Sequence, residues 1–370
     1  MIGPILLAIA AAASTPAQPI PQASPPVQAP AIEIRFDYSN ADATLAALAS
    51  PDKASLDALM ALPSTAAVIE KLHRRNSGVT PAVYESSLDQ ARRGEKLQAD
   101  PFQWQFAIAE QSRMRSLLWQ LHQMEPAIKD RVAKALAPNM PPGLSVSATV
   151  HFIIGGMSAG WEEGASSFYI GLPFYHGDLE GVILTMQHEI FHNVEYIGFH
   201  DQERDLARLA PREQEVYRFL DELYREGAAT YAENLGSFPP SAPHVAEEFA
   251  PALVNTGRMG DDFMLLDTIL YRLSRDPASH FADIRSLGFD WDWQNPMYFL
   301  GAYMTKYLAA QGKSLRDYVR QRPTAFARDY VELCRRNHCR MSLSEGEADE
   351  IVRIDHKLAG EGTGSGQAAH

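Results

Sequence analysis

The chain has 370 residues, enough to bury one large core or two ordinary ones, and 46% of them are hydrophobic. A formal charge of −13, with no basic stretch to offset it, argues against a nucleic-acid binder; Arg74-Arg75 and Arg92-Arg93 read as solvated helix faces. The two cysteines, Cys334 and Cys339, make a poor zinc site without a second pair and read as a small local disulfide at the end of a helix.

Taken in order, the chain opens with MIGPILLAIAAAASTPA. An apolar run from Ile2 to Ala13 ends in small residues, the pattern of an export signal over 1–17 with cleavage near Ala13 or Ala17, though no Lys or Arg precedes it. The run is too short for an ordinary membrane span. Residues 18–31 are a Pro-rich linker that cannot build a core. The expected product is an exported protein, periplasmic or secreted.

Residues 32–140 carry helical spacing throughout. Short amphipathic segments at 40–48, 55–62, 65–73 and 81–92 are separated by Pro, Ser or Gly. Pro101 opens a longer helix with Phe102, Phe106, Met114, Leu117 and Leu121 on its apolar face, and Pro126 restarts another. This region is expected to be a helical subdomain bracing the unit that follows.

The next unit, 141–358, begins with the only strand signal the sequence offers clearly. Val146, Ala148, Val150, Phe152 and Ile154 alternate with Ser145, Ser147, Thr149 and His151. A glycine-rich stretch follows that lacks the lysine and helix start of a phosphate loop. Segment 167–172 reads as a second strand, either interior or at a cleft edge.

Asp178 to Tyr196 then forms a helix with Asp178 as N-cap and Gly198 as stop. It contains His188-Glu189-Ile190-Phe191-His192, the pattern H-E-x-x-H. Four residues apart on a helix, the two imidazoles leave one face a turn apart and can grip one zinc ion. Glu189, beside them, is placed to take a proton from a metal-activated water. The following helix, from Pro211, carries Glu226-Gly227-Ala228-Ala229-Thr230-Tyr231, whose small residues allow close helix approach. Glu226 is the chosen third ligand. Glu195, His200 and Glu222 are weaker candidates, with Glu195 read as outer support or surface. The metzincin extension fails, because Glu195 and Gly198 stand where its glycine and third histidine belong.

On HEIFH, EGAATY and the strand-and-glycine region before them, residues 145–235 resemble the gluzincin metallopeptidases. The likeness is greatest to bacterial zinc-dependent peptidase families of unknown function. The resemblance implies zinc held by His188, His192 and Glu226, with Glu189 as general base. Thr230 stands where some gluzincins place an aspartate that orients a ligand histidine. It also implies a strand before the metal helix that pairs with extended substrate, a role open to 167–172, and a later Tyr or His that stabilises the oxyanion. Tyr303, in a 296–311 helix with Tyr298, Tyr307 and Gly301, is that candidate; a packed core tyrosine is the other reading, and His338 an alternative. Further helices are expected at 244–254, 261–274, 277–286, 314–320, 324–336 and 345–358, then a disordered tail over 359–370.

The expected fold class is therefore α+β and mainly helical, a zincin-like unit with a small sheet beside the H-E-x-x-H helix. The expected function is a zinc peptidase acting on peptides or proteins, with no nucleic-acid partner. Two alternatives stand: a zinc hydrolase of another amide or ester, and a non-catalytic zinc-binding interaction protein.

Overall fold

The computed structural model describes residues 29–50, 52–164 and 166–360. The export signal, most of the Pro-rich linker and the tail from 361 lie outside them. Strand β1 (Ala31–Asp37) is followed by α1 (Ser39–Ala49), α2 (Lys53–Met60), α3 (Pro63–Arg75), α4 (Pro81–Arg92), α5 (Trp104–Ala109) and α6 (Gln111–Leu136). The other strands are β2 (Ser145–Ile153), β3 (Gly160–Glu162) and β4 (Ser167–Gly171). After them come α7 (Leu179–Gly198), α8 (Gln202–Ala207), α9 (Pro211–Ala232) and α10 (Pro243–Arg275). The chain closes with α11 (Phe281–Ile284), α12 (Ser286–Phe289), α13 (Pro296–Ala310), α14 (Leu315–Tyr318), α15 (Pro323–Asn337) and α16 (Glu345–Ala359). The fold is α+β and mainly helical, with one small mixed sheet.

The sheet runs β1-β2-β4-β3. β1, β2 and β4 are parallel, and β3 lies antiparallel to β4 at one edge. β1 corrects the reading of 32–140 as helical throughout. Ile32, Ile34 and Phe36 alternate with Glu33 and Arg35, a half-buried strand pattern. Because β1 pairs with β2, the helices from α1 to α6 form the crossover between two parallel strands, and both expected units share one sheet.

Three further expectations change. Pro126 restarts nothing: it lies inside the 26-residue α6, whose Met114, Leu117, Leu121, Ile128 and Val132 bury one continuous face. The helices expected at 244–254 and 261–274 are one helix, α10, with non-helical angles at Arg258. Its guanidinium bonds Asn255 Oδ1 and the Trp293 carbonyl there. Asp178 precedes α7 but its side chain caps α10 instead, accepting from the His244 and Val245 N–H groups at 3.0 and 3.3 Å.

Val182, Ile183, Met186 and Ile190 bury the inner face of α7, which packs on β2, α6 and α9. α9 also packs along α13, where two glycines meet. A Cβ on Gly227 would lie 2.3 Å from Gly301 Cα, and one on Gly301 would lie 2.5 Å from the Leu223 carbonyl oxygen. Gly227, the small residue after Glu226, therefore admits α13 to close contact.

Candidate metal centre

α7 presents His188 and His192 a turn apart, and α9 crosses it with Glu226 facing them. His188 Nε2 and His192 Nε2 are 3.1 Å apart. Glu226 Oε2 lies 3.3 Å from the first and 3.4 Å from the second. Zn–N and Zn–O bonds near 2.1 Å imply tetrahedral ligand–ligand edges of about 3.3–3.5 Å. The three atoms thus form one face of such a tetrahedron, and they are the one ligand-like cluster of His, Cys, Asp and Glu among the described residues.

The outer nitrogens explain the tautomers. His188 Nδ1 meets Glu233 Oε2 at 2.9 Å, and His192 Nδ1 meets Glu195 Oε2 at 3.1 Å. An ionised carboxylate only accepts, so each Nδ1 donates and each neutral ring turns an Nε2 lone pair inward. With both rings neutral, two lone pairs and a carboxylate oxygen converge on one point, where a cation, a proton or a metal ion, relieves their repulsion. Charge balance agrees. Burial opposes charge on both rings, but Glu226 and Glu195 raise His192 to about 10, and Glu226 and Glu233 raise His188 well above its ordinary range. Glu226, despite burial, is held well below the usual carboxylate range by the two histidines. The residues fit a divalent metal.

Glu189 reaches toward β3 beside the triangle. A Cβ on Gly160 would come within 3.0 Å of Glu189 Oε1, so glycine leaves the space the carboxylate occupies. Burial raises the Glu189 pKa, and the nearby histidine charges oppose the rise. β3 is the outer strand of the sheet and packs on α7. β4, the strand at 167–172, is interior, with β2 on one side and β3 on the other. The edge beside the general-base candidate is Gly160–Glu162. Arg225 fastens it to α9 through a 2.8 Å bond to Glu162.

The weaker candidates fall elsewhere. Glu222 is bonded by Arg285 and kept from the triangle. His200 stands beyond α7 with its ring near Tyr196, and His338 caps α15 beside the Cys334–Cys339 disulfide. Thr230 orients neither histidine. Glu233, seven residues after Glu226, takes that work for His188, and Glu195 takes it for His192. The helical phase of Glu233 was there to be read.

Tyr303 is placed against Phe263 and lines a cavity of about 950 Å³ between α9, α10 and α13. Tyr298 is the tyrosine beside the histidines. Its ring stacks parallel to His188 with centroids 6.0 Å apart, and burial together with the neighbouring Glu226 and Glu222 charges raises its pKa well above the ordinary range. The signal for it was Gly301: if that glycine marks the helix crossing, the residue three before it shares the crossing face, and the residue two after it does not.

A family model described as "Putative zinc dependent peptidase (DUF5700)" matches residues 56–338, a span that includes both histidines, Glu189, Glu226 and Tyr298. The chain belongs to that family. DUF5700 membership agrees with the gluzincin-like resemblance seen in HEIFH and EGAATY, and the family's description makes zinc the implied metal. No curated protein and no solved structure matches the chain.

Proposed function

We propose that the chain hydrolyses peptide bonds, with His188, His192 and Glu226 holding zinc and Glu189 as general base. The observation that carries this reading is the triangle of inward ligand atoms 3.1–3.4 Å apart, with an unpaired carboxylate, Glu189, beside it at the outer strand of the sheet. When bound, zinc would polarise the scissile carbonyl and lower the pKa of water toward neutrality.

This chain's own residues supply the rest. Glu233 and Glu195 fix the tautomer and tilt of the two imidazoles. β3 is an outer strand to which an extended peptide can add as one more strand, with the Gly160 carbonyl already accepting from Ser158 Oγ at 2.6 Å. Glu189 accepts the proton of the attacking water and passes it to the departing amine. Burial, which raises its pKa, suits both halves of that task. Tyr298 replaces Tyr303 in this reading: its hydroxyl, beside Glu226, is placed to donate to the developing oxyanion.

The test is digestion of a broad peptide panel by zinc-replete protein, with and without chelator, alongside Glu189→Gln. Chelator-sensitive cleavage lost in the variant supports the reading. An uncut panel favours a non-peptide substrate or a binding role, and cleavage that persists in Glu189→Gln places the chemistry elsewhere.

A further inference from the structure

On the sheet face turned away from α7, one row of side chains crosses all four strands. Asp37 on β1, His151 on β2, Tyr169 on β4 and Trp161 on β3 are direct cross-strand partners. The Asp37 carboxylate meets His151 Nδ1 at 2.7 Å. The His151 and Tyr169 rings stack at 4.7 Å, and the Tyr169 and Trp161 rings stack at 4.7 Å with 8° between planes. These spacings match the separation of neighbouring strands. The row continues one step past the edge strand, where Lys71 Nζ of α3 sits 4.1 Å from the centroid of the Trp161 ring.

Lys71 thus holds its ammonium over the Trp161 ring, beside the place a side chain of a further strand would take. It forms no ion pair or hydrogen bond among the described residues, in a chain with 46 acidic residues against 33 lysines and arginines. Neighbouring Arg74, by contrast, is paired with Glu163. Burial and the adjacent arginines bring the Lys71 pKa down to about 8, while the Glu189 and Glu163 charges act the other way. A half-buried cation held over an indole face, with no carboxylate in contact with it, can receive an anion.

We propose that Lys71 is a specificity-determining residue that receives a carboxylate of the substrate, carried by the side chain of the residue lying opposite Trp161. This rests on the peptidase reading above and on β3 as the edge that takes substrate. Directly opposed residues on paired strands project to the same face. The substrate residue facing Trp161 therefore projects into this row, while its neighbours along the chain turn toward α7 and the metal site. The favoured substrates are peptides with Asp or Glu at one defined position close to the scissile bond. A free C-terminal carboxylate has the same chemistry and is the alternative source.

The experiment compares peptides that differ only by Glu, Gln or Lys at each position flanking the cleaved bond, each as free acid and as C-terminal amide. Wild type should prefer Glu over Gln at one position by about 10-fold in kcat/KM, carried mainly by KM and alike for acid and amide. Lys71→Arg should keep the preference, Lys71→Met should reduce it below about 2-fold, and Lys71→Glu should favour Lys at that position. A Glu/Gln ratio unchanged in Lys71→Met and Lys71→Glu overturns the proposal. So does a Lys71-dependent preference that follows only the free C-terminal acid. Calorimetric binding of the same peptides to Glu189→Gln separates the two readings. Lys71-dependent preference in binding without any turnover in wild type would sink the peptidase reading and leave the carboxylate receptor standing.

Discussion

Removing the base and removing a ligand should have different consequences at this centre. Glu189→Gln keeps the size and loses the proton acceptor, so zinc content and melting temperature should hold while hydrolysis falls by about 10²–10⁴-fold. Glu226→Gln removes a ligand charge and should empty the site, as metal analysis of purified protein would show. Glu233→Gln and Glu195→Gln should retain the metal but weaken its binding by about 10–100-fold, because each frees an imidazole to rotate. Tyr298→Phe should lower kcat by about 10²-fold with zinc retained, and Tyr303→Phe should leave kcat alone. Equal effects of the two tyrosine variants would refute the assignment. The histidines and Glu189 were legible in the sequence because one short motif fixes them within about a helix turn, and Glu226 because a second short motif marks it on the following helix. Of the carboxylates behind the histidines, Glu195 reads from the sequence as outer support or surface, while Glu233 is missed although its helical phase places it on the Glu226 face of α9.

At the scale of elements, the crossings carry the site. Gly301 lets α13 touch α9, and that contact brings Tyr298 to Glu226. Gly301→Ala would gain about 1 kcal/mol of helix propensity but press a methyl into the Leu223 carbonyl and Gly227. Overpacking of this kind costs about 1–3 kcal/mol, and a backbone neighbour cannot turn aside as a side chain can. Denaturant unfolding should show net destabilisation, together with loss of the Tyr298-dependent part of kcat. The α7–α10 crossing has its own signature. His244 packs on Gly181 of α7, and burial lowers its pKa to about 4. Between pH 6.5 and 4 the unfolded chain binds the extra proton, so this contribution is present above pH 6.5 and lost as pH falls through 4. The difference is up to about 3 kcal/mol. His244→Gln should flatten the stability curve in that window; a curve as steep as wild type would rule this account out. Most helices were legible from their spacing, Pro starts and Gly stops. β1 was not, because its alternation spans only a few residues before a helical region and its partner strand lies more than a hundred residues on.

For the whole molecule, the Cys334–Cys339 bond is of the kind that persists outside a reducing cytosol. It supports our proposal that the chain is exported. Mass spectrometry of exported material should then find the mature chain beginning near Ser14 or Gln18, and an intact Met1 on a cytoplasmic product would defeat the proposal. The family match and the folded unit differ in extent, and β1 shows what that difference means. A shorter chain cut to 56–338 would lose β1 and leave the outer edge of β2 bare from Ser145 to His151. It would also lose α16, whose Arg353 and Lys357 side chains bind Glu213 at the start of α9, and would end one residue before Cys339. All three proposed metal ligands would be present, yet an open strand edge of seven residues is a template for self-association. Size-exclusion chromatography should show 29–360 as a defined species and 56–338 as aggregate, so the boundary that serves to recognise the family would be the wrong one for making the protein.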